Sequence, residues 1–168
     1  MFITAIWKRT ERGREETLIG VVIVTHRNLG EELLRTAEEI VGELPGVAVV
    51  SIQASEKIDK ARGKIEAAIR AVDKGSGVLI FTDMFGGTPS NLGLSFLEKD
   101  SLEVITGINL PMLIKLPSLR QQGSLKEVAQ RLCRYGQKNI LAASEFLGRR
   151  RTAIDAEDHE GPGTMEKA

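Results

Sequence analysis

The apolar positions of this chain change period several times along its length. Leu18 to Val24 is an almost wholly apolar, β-branched run that reads as a strand buried on both faces. Leu33, Leu34, Ala37, Ile40, Val41 and Leu44 then recur at helical spacing. Asn28 is placed to cap that helix, with Glu31 three residues on, and Pro45-Gly46 stops it. Val47 to Ile52 reads as a second strand. Ser55 opens a helix whose Ile58, Ala61, Ile65, Ala68, Ile69 and Val72 share one face, and Gly75 and Gly77 close the unit.

Val78 to Thr82 is a third buried-strand run, followed by a loop and a short helix through about Leu97. Thr88 before Pro89 is a natural start for that helix, because proline is preorganised for the first helical position. Leu102 to Thr106 gives a fourth strand, after which Gly107-Ile108-Asn109-Leu110-Pro111 turns into another helix or turn. Ser124 and Glu127 form a capping box for a last long helix carrying Val128, Leu132, Ile140 and Leu147. Strands alternating with helices predict a doubly wound α/β domain: a mainly parallel sheet of four strands with helices on both faces. Its expected extent is residues 18–148. The charged stretch within 1–17 and the polar segment 149–168 read as flexible or disordered ends.

Composition narrows the classes of function. Twenty-three basic residues balance 23 acidic ones in 168, which leaves no broad electrostatic footprint for nucleic acid or an anionic membrane. The one cysteine, Cys133, excludes an intrachain disulfide and reads as a small buried helix residue. No apolar run reaches the roughly 20 residues of a membrane-spanning helix, and Met1 to Trp7 is too short for a secretory signal. The expectation is therefore a cytoplasmic protein without membrane insertion, metal or cofactor. Of the two histidines, His159 lies in the polar tail, where no buried frame holds its ring.

Chemistry in a doubly wound sheet gathers beyond the carboxyl ends of the strands, at the point where the winding reverses. Three loops begin there: at Thr25-His26, at Asp83 to Thr88, and at Gly107 to Pro111. If the first and third strands are neighbours, about 4.8 Å apart, His26 and Asp83 come within hydrogen-bonding range. A carboxylate that accepts one ring N–H fixes the imidazole tautomer and frees the other nitrogen's lone pair. Gly86-Gly87-Thr88 would let backbone approach an anion closely, the Thr25 and Thr88 hydroxyls are further donors, and Asn109 is placed to support the loops. No G-x-x-x-x-G-K-[ST] loop is present, so a phosphorylated partner would have to bring the phosphate. Each signal has a plainer alternative: a satisfied loop histidine, a good loop-to-helix junction, a turn-forming aspartate.

Taken together, these loops resemble the mannose-type IIA family of the bacterial phosphoenolpyruvate-dependent sugar phosphotransferase system. The resemblance rests on a strand ending in Thr-His, then Asp-x-x-Gly-Gly-Thr-Pro-x-Asn, then Gly-Ile-Asn-Leu-Pro-Met-Leu, and covers roughly residues 18 to 147. It implies that His26 takes a phosphoryl group from phospho-HPr and hands it to a IIB component. It also implies that Asp83 orients the ring and that Thr25 and Thr88 contact the phosphoryl group. A homodimer is implied too, with a late strand exchanged at the sheet edge, here near Leu113 to Leu116. Two positions depart from the family: Arg27 follows the histidine where glycine is usual, and Ser90 stands where an aromatic residue is common. Arg27 reads as a solvated helix-start arginine or as a residue that alters docking or helps hold phosphate. With no IIB domain following, the expectation is a stand-alone regulatory IIA. The phosphotransfer subunit of a dihydroxyacetone kinase and a non-catalytic module sensing phosphorylation state are the competing readings.

Overall fold

A computed structural model of the chain describes residues 18–97 and 101–144. Its elements alternate as the apolar pattern requires: β1 (Gly20–His26), α1 (Leu29–Val41), β2 (Val47–Ile52), α2 (Ile58–Val72), β3 (Val78–Thr82), α3 (Thr88–Leu94), β4 (Leu102–Thr106), α4 (Leu110–Leu119) and α5 (Leu125–Lys138). The four strands form one parallel sheet in the order β2-β1-β3-β4. The winding therefore reverses between β1 and β3. The sheet and its helices up to Gln137 form one compact unit, and the described residues from Lys138 on fall outside it.

β1 and β3 are the central strands, and every residue of Val21 to Val24 and of Val78 to Phe81 is fully buried. Successive side chains point to opposite faces, so each strand feeds two cores. Val21, Ile23, Leu79 and Phe81 pack with α1, α4 and α5. Val22, Val24, Val78 and Ile80 pack with α2 and Leu92 of α3. Burial of side chains this large contributes roughly 1.5–3 kcal/mol each. The continuous β-branched runs are thus a direct consequence of covering a sheet on both sides.

The helix starts depart from the sequence expectation in two places. Asn28 sits at φ −89°, ψ 6° and makes no side-chain cap bond, because a capping side chain needs an extended backbone to reach the first-turn N–H groups. That turn is tied from the sheet instead: the Gly30 N–H donates to Thr25 Oγ1 at 2.8 Å. A Cβ on Gly30 would meet Ile23 Cγ2 at 2.9 Å, so only glycine lets α1 lie this close to the strands. Glu31, the other half of the expected box, accepts from the Ser51 hydroxyl. α2 begins at Ile58 rather than beside Ser55, because Gln53 to Glu56 close a turn of their own through the Glu56 N–H and the Gln53 carbonyl.

The later elements are more mixed. Ser124 and Glu127 form the expected box: Glu127 Oε2 accepts the Ser124 N–H at 2.8 Å, and Ser124 Oγ accepts the Glu127 N–H. α5 nevertheless ends at Lys138, leaving Ile140 exposed beyond it, and Cys133 is half-buried rather than buried. The exchanged edge strand expected near Leu113 to Leu116 is not there. Those residues lie inside α4, whose Asn109 Oδ1 caps the Met112 N–H and whose Pro111 suits a first turn. Met112, Leu113 and Leu116 then share a helical face on the core. Among the described residues the sheet has four strands. Leu147, His159 and both expected flexible ends lie outside the described residues. No helix of the described residues is long and apolar enough to cross a membrane.

At the amino-terminal edge of the sheet one buried charge holds three segments together. Arg120, at the end of α4, is 4% exposed and donates through Nε to the Ile19 carbonyl at 2.7 Å, through Nη1 to Pro45 and through Nη2 to Gly46. Burial pushes its guanidinium down to about 10, which leaves it protonated at neutral pH. The planar fork suits three carbonyls arriving from different directions. Arg120→Ala should destabilise the fold by about 3 kcal/mol by stranding those acceptors. Thermal unfolding followed by circular dichroism checks this, with Arg120→Lys expected to recover only part of the loss and full recovery ruling the fork out.

Candidate functional site

The parallel order brings the three strand-end loops to one edge. β1 pairs with β3 as far as Val24 and Thr82, so His26 and Asp83 emerge just past the last paired residues, on neighbouring strands. Backbone bonds tie the loops across the edge. The Arg27 N–H donates to the Ile52 carbonyl at the end of β2, and the Gly107 and Ile108 N–H groups both donate to the Thr82 carbonyl. His26 shares the strand face of Val22 and Val24, toward α2 and α3, whereas Thr25 faces α1.

One carboxylate oxygen organises this edge. Asp83 Oδ2 accepts the His26 backbone N–H at 2.8 Å and the ring Nδ1–H, also at 2.8 Å, while Oδ1 accepts the Met84 N–H at 2.9 Å. The Asp83 side chain is 9% exposed and the imidazole 44%. Burial is the largest influence on this carboxyl and pushes it up. The bonds from the His26 backbone and ring, the Met84 N–H and attraction to the ring together outweigh it, holding the carboxyl below the ordinary range. An ionised carboxylate can only accept, so the proton between the two side chains belongs to Nδ1. Nε2 is then the nitrogen with a free lone pair, on an accessible ring.

Gly87 borders that nitrogen. A Cβ at this position would come within 2.8 Å of His26 Cε1 and 3.5 Å of Nε2, so a side chain there would push against the ring. Gly86, in the same loop, takes φ +83°, a conformation that glycine adopts without strain. Thr88 is the exposed first residue of α3. Thr25 and Asn109 have hydrogen-bond partners of their own. Thr25 is fully buried, and its recorded bond steadies the start of α1. Asn109 is spent on α4 and α5, its amide donating to the Gly136 carbonyl at 3.1 Å.

Of the two departures from the family pattern, only Arg27 adjoins the site. Ser90 is buried under α3, where its hydroxyl and that of Thr82 have no hydrogen-bond partner among the described residues. Sequence reasoning passed over Met84 and Phe85, exposed apolar side chains between Asp83 and the glycines. The signal was present, since two large apolar residues in a loop that caps a sheet have no core to enter. Among the described residues no three His, Cys, Asp or Glu side chains gather as a metal site.

Comparison with known proteins bears on the same residues. The model of the family described as "PTS system fructose IIA component" matches residues 20–133. The chain is 31% identical over 137 residues to the PTS system fructose-specific EIIA component of Bacillus subtilis (strain 168), covering 81% of this chain and 94% of that protein. It is 36% identical over 98 residues to the PTS system mannose-specific EIIAB component of Escherichia coli (strain K12), covering 58% of this chain but 30% of that protein. In three dimensions it resembles the PTS IIA protein associated with the fucose utilization operon from Streptococcus pneumoniae. There the TM-score is 0.66 at 28% identity, over 76% of this chain and 95% of that one. With the match running from the first residue of β1 into α5, and the His26, Asp83 and Gly87 loops all inside it, the chain belongs to the fructose/mannose-type IIA component family of the phosphotransferase system.

Proposed function

We propose that this protein is a phosphohistidine carrier: His26 Nε2 accepts a phosphoryl group from phospho-HPr and passes it to a IIB component. The observation that carries this reading is the 2.8 Å bond from Nδ1–H to Asp83, which leaves Nε2 as the nucleophile. In the transfer, the Nε2 lone pair attacks the donor's phosphorus. The donor's N–P bond breaks, its electron pair returning to the donor nitrogen, as the new N–P bond forms. No proton need leave, because Nδ1 keeps its own. The ring becomes positively charged, and the adjacent carboxylate stabilises that charge. Delivery to IIB is the same step in reverse, with His26 as the leaving group.

The remaining parts follow from the site. Gly86, Gly87 and Thr88 give the phosphoryl group room and a hydroxyl, and the exposed Met84 and Phe85 suit a protein partner rather than a small molecule. A relative whose name joins A and B components supports a IIB acceptor. As a phosphotransferase acting between soluble partners, the protein is assigned to the cytoplasm. A homodimer is part of the proposal, and Ile140 and Leu141, exposed just past α5, are apolar enough to serve it.

With phosphoenolpyruvate, enzyme I and HPr, the wild type should acquire an acid-labile, base-stable label that His26→Ala lacks; a label retained by that variant would sink the proposal. Asp83→Asn should slow transfer by about 100-fold in rapid-quench assays, since it removes the charge that stabilises the imidazolium.

The same carboxylate sets a pH dependence. Its native pKa lies below the unfolded value of about 3.9, so its contribution to stability is complete above that pH and is lost as pH falls through the native value. Urea midpoints measured downward from neutral pH should show that acid loss in wild type, and a smaller one in Asp83→Asn. Gly87→Ala should cut the labelling rate at least tenfold, because the new methyl displaces the ring, while circular dichroism at 25 °C shows the fold retained. Unaltered labelling would show that the ring tolerates the displacement.

A further inference from the structure

We propose that the Arg27 guanidinium binds the phosphoryl group carried on His26, an inference that rests on the carrier reading of that histidine. Arg27 is the non-glycine residue with positive φ among the described residues, at φ +50°. A side chain in that region is strained, and such strain persists where the surroundings fix the backbone, most often at working sites. Here the fixing bond is visible: the Arg27 N–H is held by the Ile52 carbonyl at 3.0 Å. Asparagine or glycine would fill this turn at less cost, so the turn by itself gives no reason for an arginine.

The side chain is also unspent. Arg27 is exposed, and no hydrogen bond or ion pair of its guanidinium is recorded among the described residues. Its neighbours supply the electrostatic reason for a cation. A phosphoryl group on Nε2 brings up to two negative charges next to ionised Asp83. In the loops that follow β1, β3 and β4, residues 27–28, 83–87 and 107–109, Arg27 is the one basic residue. Adjacent in sequence to the phosphorylated ring, its planar fork can take two phosphoryl oxygens at once, which a lysine cannot. It would offset the like-charge repulsion that otherwise shortens the life of the phosphohistidine.

The test uses the full chain phosphorylated in two ways, by phospho-HPr and by phosphoramidate, a small-molecule donor that needs no docking. Wild type is compared with Arg27→Gly, Arg27→Ala and Arg27→Lys. In wild type the side-chain N–H resonances of Arg27 should shift when His26 is phosphorylated by either donor. The phosphohistidine half-life should fall about 10-fold in the Gly and Ala variants, with Lys between. Arg27→Gly should also melt about 2–4 °C higher, since glycine relieves the positive φ, so its shorter half-life cannot be ascribed to unfolding. An unchanged half-life in Arg27→Gly, or unmoved Arg27 resonances, overturns the inference. So does slowed transfer from phospho-HPr alone with an unchanged half-life, which would make Arg27 a contact for the donor protein. Labelling by phosphoramidate but not by phospho-HPr removes the carrier reading and leaves the Arg27 shifts and half-lives to stand; absence of labelling by either donor overturns both.

Discussion

Asp83 Oδ2 takes two bonds from a single residue, the His26 backbone N–H and its Nδ1–H, and the working edge of the sheet is built around that pair. The backbone bond fixes where β1 ends relative to β3, and the ring bond fixes the tautomer. One atom serves both, so the carboxylate that marks the strand end is also the one that the ring meets. Gly87 closes the arrangement from the other side by leaving no Cβ against the ring. The imidazole is thereby positioned by a strand, a carboxylate and an absence of side chain.

The two ends of β1 are treated in a similar way by unrelated means. At its start, the carbonyl of the preceding Ile19 is held by Arg120, a buried cation satisfied by three carbonyls, with no carboxylate partner among the described residues. At its end, His26 is held by a partly buried anion. Between them lie fully buried aliphatic residues whose packing is non-directional. Hydrophobic burial makes this strand central, while the polar clamps at its ends fix it in register and in place. A change at Arg120 would therefore act on the packing of three segments, whereas a change at Asp83 acts first on the His26 ring and strand end.

Much of this was legible along the chain. The four apolar runs became the four strands, with Val47 to Ile52, Val78 to Thr82 and Leu102 to Thr106 keeping their boundaries, because their β-branched residues suit the pleated, covered surface of a sheet. The box at Ser124 and Glu127 formed because both partners lie within one helical turn. The errors share a cause in the opposite direction. Asn28 carries a capping side chain, but the strand it follows delivers it in the wrong conformation, and Thr25 takes over. Leu113 to Leu116 is apolar enough for a strand; the helix wins because Asn109 caps it and Pro111 begins it. Ser90 stood out as a departure from the family pattern, and α3 buries it completely.

Sequence alone determined the class of fold and the sheet edge at which the loops of His26 and Asp83 meet, since periodicity, turn residues and strand ends are local properties. It also placed the glycines beside them. Tertiary structure decided which nitrogen is free, because that depends on which side the carboxylate approaches. It decided that Thr25 and Asn109 steady helices, that Gly87 borders the ring and that Arg27 pays a backbone cost to stand next to it. These are matters of distance and direction between segments dozens of residues apart, and no local pattern encodes them until the strands pair as β2-β1-β3-β4.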